Sequence, residues 1–291
     1  MTGPSLTTSI DAALAAGPLP LPVHPAVAAQ AAALLGEGEP AAPALAALAG
    51  SDPALACGLL RAANTAFYAG LPKTRSLAEA LNRIGTTAAR QVMVATCRAG
   101  QRAVPGRYAP RFLDPLWRHA QGCARGARWL AERCGFPQLA AQAGLAGLLH
   151  DIGKWQLLAG LGAGDHGAGE LGDGLVAEVL ACRHVDVGLR LVEEWHLPDE
   201  VALAVGRHHR AGLEGEELVV VLVRLANQGC HKLGLGWRGE SGLVLATTAE
   251  AQFLNLDEIA LAEFEIMLED HFELVATTPE TELQWHHGGS R

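Results

Sequence analysis

Six residues whose side chains bind metal ions in proteins lie between positions 119 and 209. They are His119, the adjacent pair His150 and Asp151, His184, and the adjacent pair His208 and His209. Imidazole nitrogens and carboxylate oxygens are ligands for divalent ions. Taken singly, each has a structural explanation: a hydrogen-bonded core histidine, a helix cap, or an imidazole at a helix C-terminus, where the dipole favours positive charge. Taken together, they predict one shared centre of the metal-binding type.

The pair His150 and Asp151 gives the strongest signal of the six. It follows the apolar stretch AGLAGLL and precedes Ile152, Gly153 and Lys154. A carboxylate at the end of a buried helix is costly unless it is paired or bound to a cation. Lys154 could pair with Asp151 or hold a phosphate. Facing helices that direct such side chains inward are a standard way to build a metal site in a helical bundle.

Signals for helix starts recur along the chain, whereas strand signals are scarce. Asp52 and Pro53 form a cap and a first-turn proline, and Ser76 with Glu79 forms a capping box ahead of a helix that Gly85 can close. The segment EELVVVLVRLANQGCHKL is rich in β-branched residues, but its length favours a helix. Two segments are predicted to be loops: 99–113, which mixes Gly, Pro and Arg and could separate two helical halves, and 160–174, which is rich in glycine. We therefore predict an all-α fold.

Composition restricts the class of protein further. The 291 residues carry a net charge of -9, which argues against general nucleic-acid binding because that affinity needs a basic surface. Six cysteines without a CxxC pair favour free thiols in a reducing compartment. No apolar run is long enough to span a bilayer, and the N-terminus lacks the pattern of a signal peptide. These features predict a cytoplasmic protein with no membrane contact and no direct nucleic-acid binding.

Two groups of motifs resemble known families. The string LLHDIGK around His150 and Asp151 resembles the hallmark of the HD superfamily of metal-dependent phosphohydrolases. Residues 53–85, PALACGLLRAANTAFYAGLPKTRSLAEALNRIG, resemble the HDOD (HD-related output domain) family of bacterial signalling proteins, as do LWRHAQGCA and RHVDVGLRLVEEWHLPDEVALAVGRHH. The resemblance covers roughly residues 17–235.

This resemblance implies a helical N-terminal subdomain packed on an HD-type helical bundle. The implied segments are an N-terminal tail at 1–16, the helical N-terminal half at 17–105, the HD-like helical half at 106–275 and a C-terminal tail at 276–291. The implied metal ligands are His119, His150, Asp151, His184, His208 and His209, and the implied cofactor is a divalent ion (Fe, Mn or Mg), the alternative being none.

Two departures from the HD hydrolases argue against catalysis. Those enzymes carry a final metal-binding Asp in an "AD" pair, where this chain has Ala226 and Asn227. Asparagine offers a neutral carbonyl in place of an anionic oxygen. The segment RAGLEGEE after His209 also differs from the HHExxDGxGYP pattern of the cyclic di-GMP phosphodiesterases.

The resemblance therefore favours a regulatory module of signal transduction that acts through protein contacts, with signalling proteins as partners and a nucleotide as a further candidate ligand. The alternative is a metal-dependent phosphohydrolase, a phosphodiesterase or nucleotide phosphohydrolase, in which Lys154 would steady the phosphate. That alternative would gain support from a further anionic ligand, such as Glu178 or Asp186. A third possibility is that no metal binds and the histidines form hydrogen bonds in the core.

Overall fold

The structure, a computed structural model, describes residues 6–15, 17–36, 38, 40–68, 70–101, 103, 109–163, 172–237 and 239–276. Throughout these ranges the regular elements are helices, and no strand occurs in them. The predicted all-α fold class is confirmed. No helix in the described part of the chain has the length and apolar character that crossing a membrane requires.

The described residues form a series of α-helices. They are α1 (Leu6–Leu14), α2 (Pro25–Gly36), α3 (Ala42–Gly50), α4 (Pro53–Ala63), α5 (Leu77–Gly100), α6 (Asp114–Arg133), α7 (Ala140–Leu149), α8 (Ile152–Ala163), α9 (Asp173–Glu194), α10 (Asp199–Arg207), α11 (Leu218–Lys232), α12 (Ala249–Phe253) and α13 (Glu258–Ala276).

The predicted caps begin α4 and α5. Asp52 Oδ1 accepts hydrogen bonds from the backbone N–H of Ala54 at 2.8 Å and of Leu55 at 3.3 Å. Ser76 Oγ accepts one from the N–H of Glu79 at 3.2 Å. These contacts satisfy amide donors that have no partner within the first helical turn. Gly85 has a φ of 79°, and the helical path breaks there before α5 continues to Gly100.

The N-terminal helices pack against the HD-like helices through a shared apolar core. One cluster of buried residues includes Leu59 of α4, Leu157 of α8 and Val205 of α10. Hydrogen bonds also cross between the halves, since Trp117 Nε1 donates to Ser51 O at 2.8 Å and Asn64 Nδ2 donates to His196 O at 3.0 Å. A second cluster joins α6, α11 and α13.

Two segments differ from the sequence-based boundaries. Residues 6–14, which the resemblance assigned to a tail, form α1, whose Ile10 is 1% exposed. The predicted loop at 160–174 is shorter, because α8 continues to Ala163 and α9 begins at Asp173. Burial of Ile10 beside Gly160 supports the extra turn of α8. The rest of that loop, at 164–171, and the C-terminal residues 277–291 with His286 and His287 lie outside the described residues.

Candidate metal centre

Four helices position the six predicted residues. His119 lies within α6, His150 caps the C-terminus of α7 and is followed by Asp151, His184 lies within α9, and His208 caps α10 ahead of His209. The structure brings all six side chains into one cluster between these helices.

Two glycines allow the helices to approach closely enough for this cluster to form. A Cβ atom on Gly147 would lie 2.4 Å from the carbonyl oxygen of Cys123, and one on Gly153 would lie 1.8 Å from that of His184. Any side chain at either position would therefore push α7 away from α6, or α8 away from α9. The glycine of the HDIGK motif is thus a packing requirement.

On one side of Asp151 lie His119 and His150. Their Nε2 atoms are 3.3 Å apart, and they lie 3.6 Å and 3.4 Å respectively from Asp151 Oδ2. Lys154 Nζ contacts the same carboxylate oxygen at 2.5 Å and lies 5.6 Å from the ring centroid of Trp237. The ammonium group is therefore held against Asp151, under an indole.

On the other side of Asp151 lie the remaining three histidines. His184 Nε2 is 3.3 Å from His208 Nε2 and 3.1 Å from His209 Nε2. Asp151 Oδ1 lies 3.4 Å from His184 Nε2 and 3.5 Å from His208 Nε2. The two oxygens of one carboxylate thus face two separate groups of imidazoles, an arrangement in which Asp151 can bridge two ions.

Backbone carbonyls fix the orientation of the imidazole rings. The Nδ1 atoms lie within hydrogen-bond distance of carbonyl oxygens: His119 with Leu235 at 3.0 Å, His150 with Gly147 at 2.8 Å, His184 with Ala181 at 2.9 Å and His208 with Ala204 at 2.9 Å. Because a carbonyl oxygen only accepts, Nδ1 carries the proton in each neutral ring and Nε2 carries the lone pair. This pattern is typical of metal-binding histidines, in which the second nitrogen donates to a carbonyl or carboxylate.

The chemistry of the cluster fits a cation. Burial lowers the pKa of His119 and His150, and it lowers the pKa of His184 to about 4, so these rings stay neutral and their lone pairs face one another. Burial acts to raise the pKa of Asp151, but the ammonium group of Lys154 against its Oδ2 outweighs burial and holds that pKa well below the usual range. Asp151 Oδ1 is buried without a hydrogen-bond donor. A divalent ion would satisfy both the facing lone pairs and this oxygen.

Solvent has little access to this centre. His119, His150, Asp151, His184 and His208 are each at most 5% exposed, while His209 is exposed. Glu178 and Asp186, the two further anions considered from the sequence, are exposed and contribute to none of the candidate ligand groups among the described residues. In those groups Asp151 is the sole carboxylate.

Three further residues contact the centre without having been predicted as part of it. Cys123 Sγ lies 3.6 Å from His119 Nε2 and 3.7 Å from Cys230 Sγ, and the ring centroid of His231 is 5.2 Å from that of His119. The spacing of four residues between His119 and Cys123 puts both on one face of α6. That spacing was visible in the sequence, but a buried cysteine is usually only a small core residue.

Comparison with known proteins agrees with this architecture. The model of the HDOD domain matches residues 21–211 of the chain, which is more than half of its length. The chain belongs to the HDOD family. The family predicted from the sequence is confirmed, and with it a fold related to that of the HD phosphohydrolases.

Solved structures resemble this HDOD protein over most of its length. Two are crystal structures of the MmoQ response regulator from Methylococcus capsulatus str. Bath. The first has a TM-score of 0.67 and 22% sequence identity, and the match covers 84% of this chain and 97% of the MmoQ chain. The second has a TM-score of 0.57 and 23% sequence identity, and the match covers 82% of this chain and 92% of the MmoQ chain. An HDOD domain protein of unknown function from Geobacter sulfurreducens has a TM-score of 0.43 and 21% sequence identity, and the match covers 94% of this chain and 96% of that protein. At these identities the MmoQ structures show a common fold. The search among curated proteins found no match.

Proposed function

We propose that this chain is a regulatory HDOD module of bacterial signal transduction, which acts through contacts with signalling proteins and without catalytic turnover. The observation that carries the proposal is the closure of the centre, in which five of the six candidate ligands are at most 5% exposed. A metal-bound water that hydrolyses a phosphodiester must meet the substrate directly. Five side chains buried to this degree can stabilise the bundle, and they leave a substrate only the side of the exposed His209 to approach.

The ligand set supports the same proposal. Asn227 lies buried on α11, where the HD hydrolases carry their final aspartate, and Asp151 is the one carboxylate in the candidate groups of the described residues. A bound divalent ion would supply positive charge shared by α6, α7, α9 and α10. The ion would hold these helices in one arrangement and make the surface of the bundle depend on metal occupancy. The name of the structurally similar MmoQ, a response regulator, is in keeping with a signalling role.

Exposed apolar side chains on the N-terminal half are candidate contacts for a protein partner. Phe67 is 87% exposed and Leu71 is 55% exposed, in the connection between α4 and α5. Large exposed apolar residues that cluster often mark interaction sites. A photo-crosslinking residue at position 67 or 71 should trap the same partner in bacterial cells, whereas one at Phe253, which is 57% exposed on α12, should not. Equal trapping from all three positions would contradict a specific contact here.

Hydrolysis of a phosphodiester or nucleotide remains the second candidate function, because Asp151 faces two groups of imidazoles as a bridging carboxylate would. In that case Lys154, now against Asp151, would have to turn towards the phosphate.

The variant Asn227→Asp separates the two candidates. We expect wild type to show no turnover of cyclic di-GMP with Mn²⁺ or Fe²⁺, and we expect any activity to arise only in the Asp variant, because the restored anion strengthens the metal site. Asn227→Ala is the matched control for a change at this buried position. Measurable turnover of cyclic di-GMP by wild type would contradict the regulatory proposal.

A further inference from the structure

Helix α13 carries apolar side chains on two opposite faces. The inner face, with Leu261, Phe264 and Leu268, is at most 3% exposed and packs against α6 and α11. The outer face presents Ile259, which is 70% exposed, and Ile266, which is 55% exposed. Residues seven positions apart lie on the same side of a helix, so the two isoleucines form one stripe about 10 Å long. Packing within this chain accounts for the inner face only.

The inner contacts hold α13 firmly in place. A Cβ atom on Gly229 would lie 2.5 Å from the ring of Phe264, and one on Gly126 would lie 3.1 Å from it. The ring therefore packs directly against the backbones of α11 and α6. Because the helix is fixed in this way, its outer stripe is already ordered, and a partner that binds there loses little affinity to the ordering of this surface.

Carboxylates border the outer stripe. Helix α13 contains six acidic residues and no Lys or Arg. Glu263 follows Ile259 by four residues, and it is exposed. Glu269 and Asp270, also exposed, follow Ile266 by three and four residues. Residues at these spacings are neighbours on a helix surface, so both isoleucines have acidic neighbours.

Neighbouring helices neutralise only part of this charge. Arg133 Nε lies 3.4 Å from Glu263 Oε2, but the two side chains are 44% and 53% exposed, and such a pair is weak. Lys232 Nζ contacts Glu265 Oε1 at 2.5 Å. Within the described residues, no ion pair reaches the carboxylates at 269 and 270. The surface beside the stripe therefore keeps an uncompensated negative charge.

We propose that the outer face of α13 is a docking surface for a basic amphipathic helix of a partner protein, in which apolar residues recur every three or four positions among Lys and Arg. The apolar residues of that helix cover the two isoleucines, and its cations meet the carboxylates at 263, 269 and 270. A second copy of α13 is a poorer fit, because it would place like charges opposite one another. The surface goes beyond the proposed function, since it contains none of the candidate metal ligands and neither Phe67 nor Leu71.

Fluorescence anisotropy with a labelled synthetic peptide and the full chain tests the proposal. The probe is a peptide of leucine and lysine in amphipathic order, about 18 residues or five helical turns long. At about 0.15 M salt we expect it to bind, and we expect a matched peptide with Glu in place of Lys not to bind. Replacing both Ile259 and Ile266 with serine should weaken binding at least about ten-fold, because their burial is lost. Leu175→Ser, at a leucine of α9 that is 44% exposed, should leave binding unchanged.

Reversal of charge tests the acidic border. Glu269→Lys combined with Asp270→Lys should weaken binding of the basic peptide about ten-fold or more. The matched control combines Glu193→Lys with Glu194→Lys, an adjacent and exposed acidic pair at the end of α9, because it makes the same change in net charge. That control should weaken binding less than about three-fold, since distant charges are screened at this salt concentration.

Four results would overturn the inference: no binding of the basic peptide, equal binding of the acidic peptide, equal weakening by the two charge-reversed pairs, or unchanged binding after loss of both isoleucines. The two peptides with wild type decide the question even if a variant fails to fold. Sedimentation of wild type and of the isoleucine variant tests the alternative occupant. A wild-type dimer that dissociates in the variant would show that the stripe binds a second copy, and the proposal would then be wrong.

Discussion

Replacing Gly153 with alanine tests how tightly the helices around the centre are packed. An added Cβ would lie 1.8 Å from the carbonyl oxygen of His184 and 2.7 Å from the backbone nitrogen of Gly188. Carbon and oxygen atoms in close contact are about 3.3 to 3.6 Å apart, so α8 and α9 must separate by about 1.5 Å. Because both obstructing atoms belong to the backbone, no change of rotamer can relieve the clash.

The magnitude of the effect follows from this geometry. Overpacking a dense core costs about 1 to 3 kcal/mol, and we expect the upper end, about 3 kcal/mol, because the obstacle is rigid. A loss of this size lowers the melting temperature by roughly 6 °C or more in a chain of this length. The shift also moves His184 away from Asp151, so metal affinity should fall together with stability.

Thermal unfolding followed by circular dichroism, with and without Zn²⁺, measures both effects. The matched control is Gly174→Ala, because Gly174 lies in the first turn of α9 and a Cβ there meets nothing within 4 Å. Alanine at that helical position should leave stability unchanged or raise it by up to about 1 kcal/mol. Equal melting temperatures for the two variants would refute the close-packing argument.

Two other positions give predictions that concern the fold. The side-chain oxygen of Asn64 accepts from Thr74 N at 3.0 Å and Arg83 Nη1 at 3.1 Å, and its amide nitrogen donates to His196 O at 3.0 Å. Asn64→Ala removes all three contacts and should lower the free energy of unfolding, measured in urea, by about 2 kcal/mol. Asn64→Asp keeps the acceptor and should lower it by less. A full loss in Asn64→Asp would show that the acceptor contacts contribute little. Burial raises the pKa of Asp52 from 3.8 to about 7, so the folded state binds the proton more tightly and stability falls as the pH rises through that range. Asp52→Asn keeps the cap through its amide oxygen, although it loses the acceptor of the His24 N–H at 2.9 Å, and it should remove this part of the pH dependence. Unchanged dependence in the variant would refute the assignment.

Local signals in the sequence predicted the helix starts well, because caps act within one turn. Asp52 and Ser76 cap the helices that they were expected to begin, and Gly85 breaks the helical path where a stop was expected. The packing of α8 against α1 has no such local signal in the sequence. The glycine content of 160–174 predicted a loop, but Gly160 faces Ile10 of α1, and that contact accompanies an extra turn of α8. The assignment of residues 1–16 to a tail has the same origin.

The candidate site shows the same division between local and tertiary information. The six candidate ligands, five histidines and one aspartate, could be named because their residue types are unusual in apolar helices and their order resembles that of a known family. Cys123 could not be named in this way, since a cysteine on an apolar stripe is ordinarily part of the core. Its place beside His119 and His150 depends on how closely α7 crosses α6, which Gly147 sets and which no pattern along either helix reveals.

We propose that this HDOD protein regulates without turnover. The most direct measurement is the hydrolysis rate of wild-type full-length chain, loaded in turn with Mn²⁺, Fe²⁺ and Zn²⁺ and with metal content measured in the same samples, on cyclic di-GMP and on a general phosphodiester substrate. Because five of the six candidate ligands are buried, and Asp151 is the single carboxylate of the candidate groups among the described residues, we predict no turnover above the metal-only background in samples that contain bound metal. Hydrolysis at an ordinary enzymatic rate, roughly 1 per second or more, by the metal-loaded wild type would contradict the account.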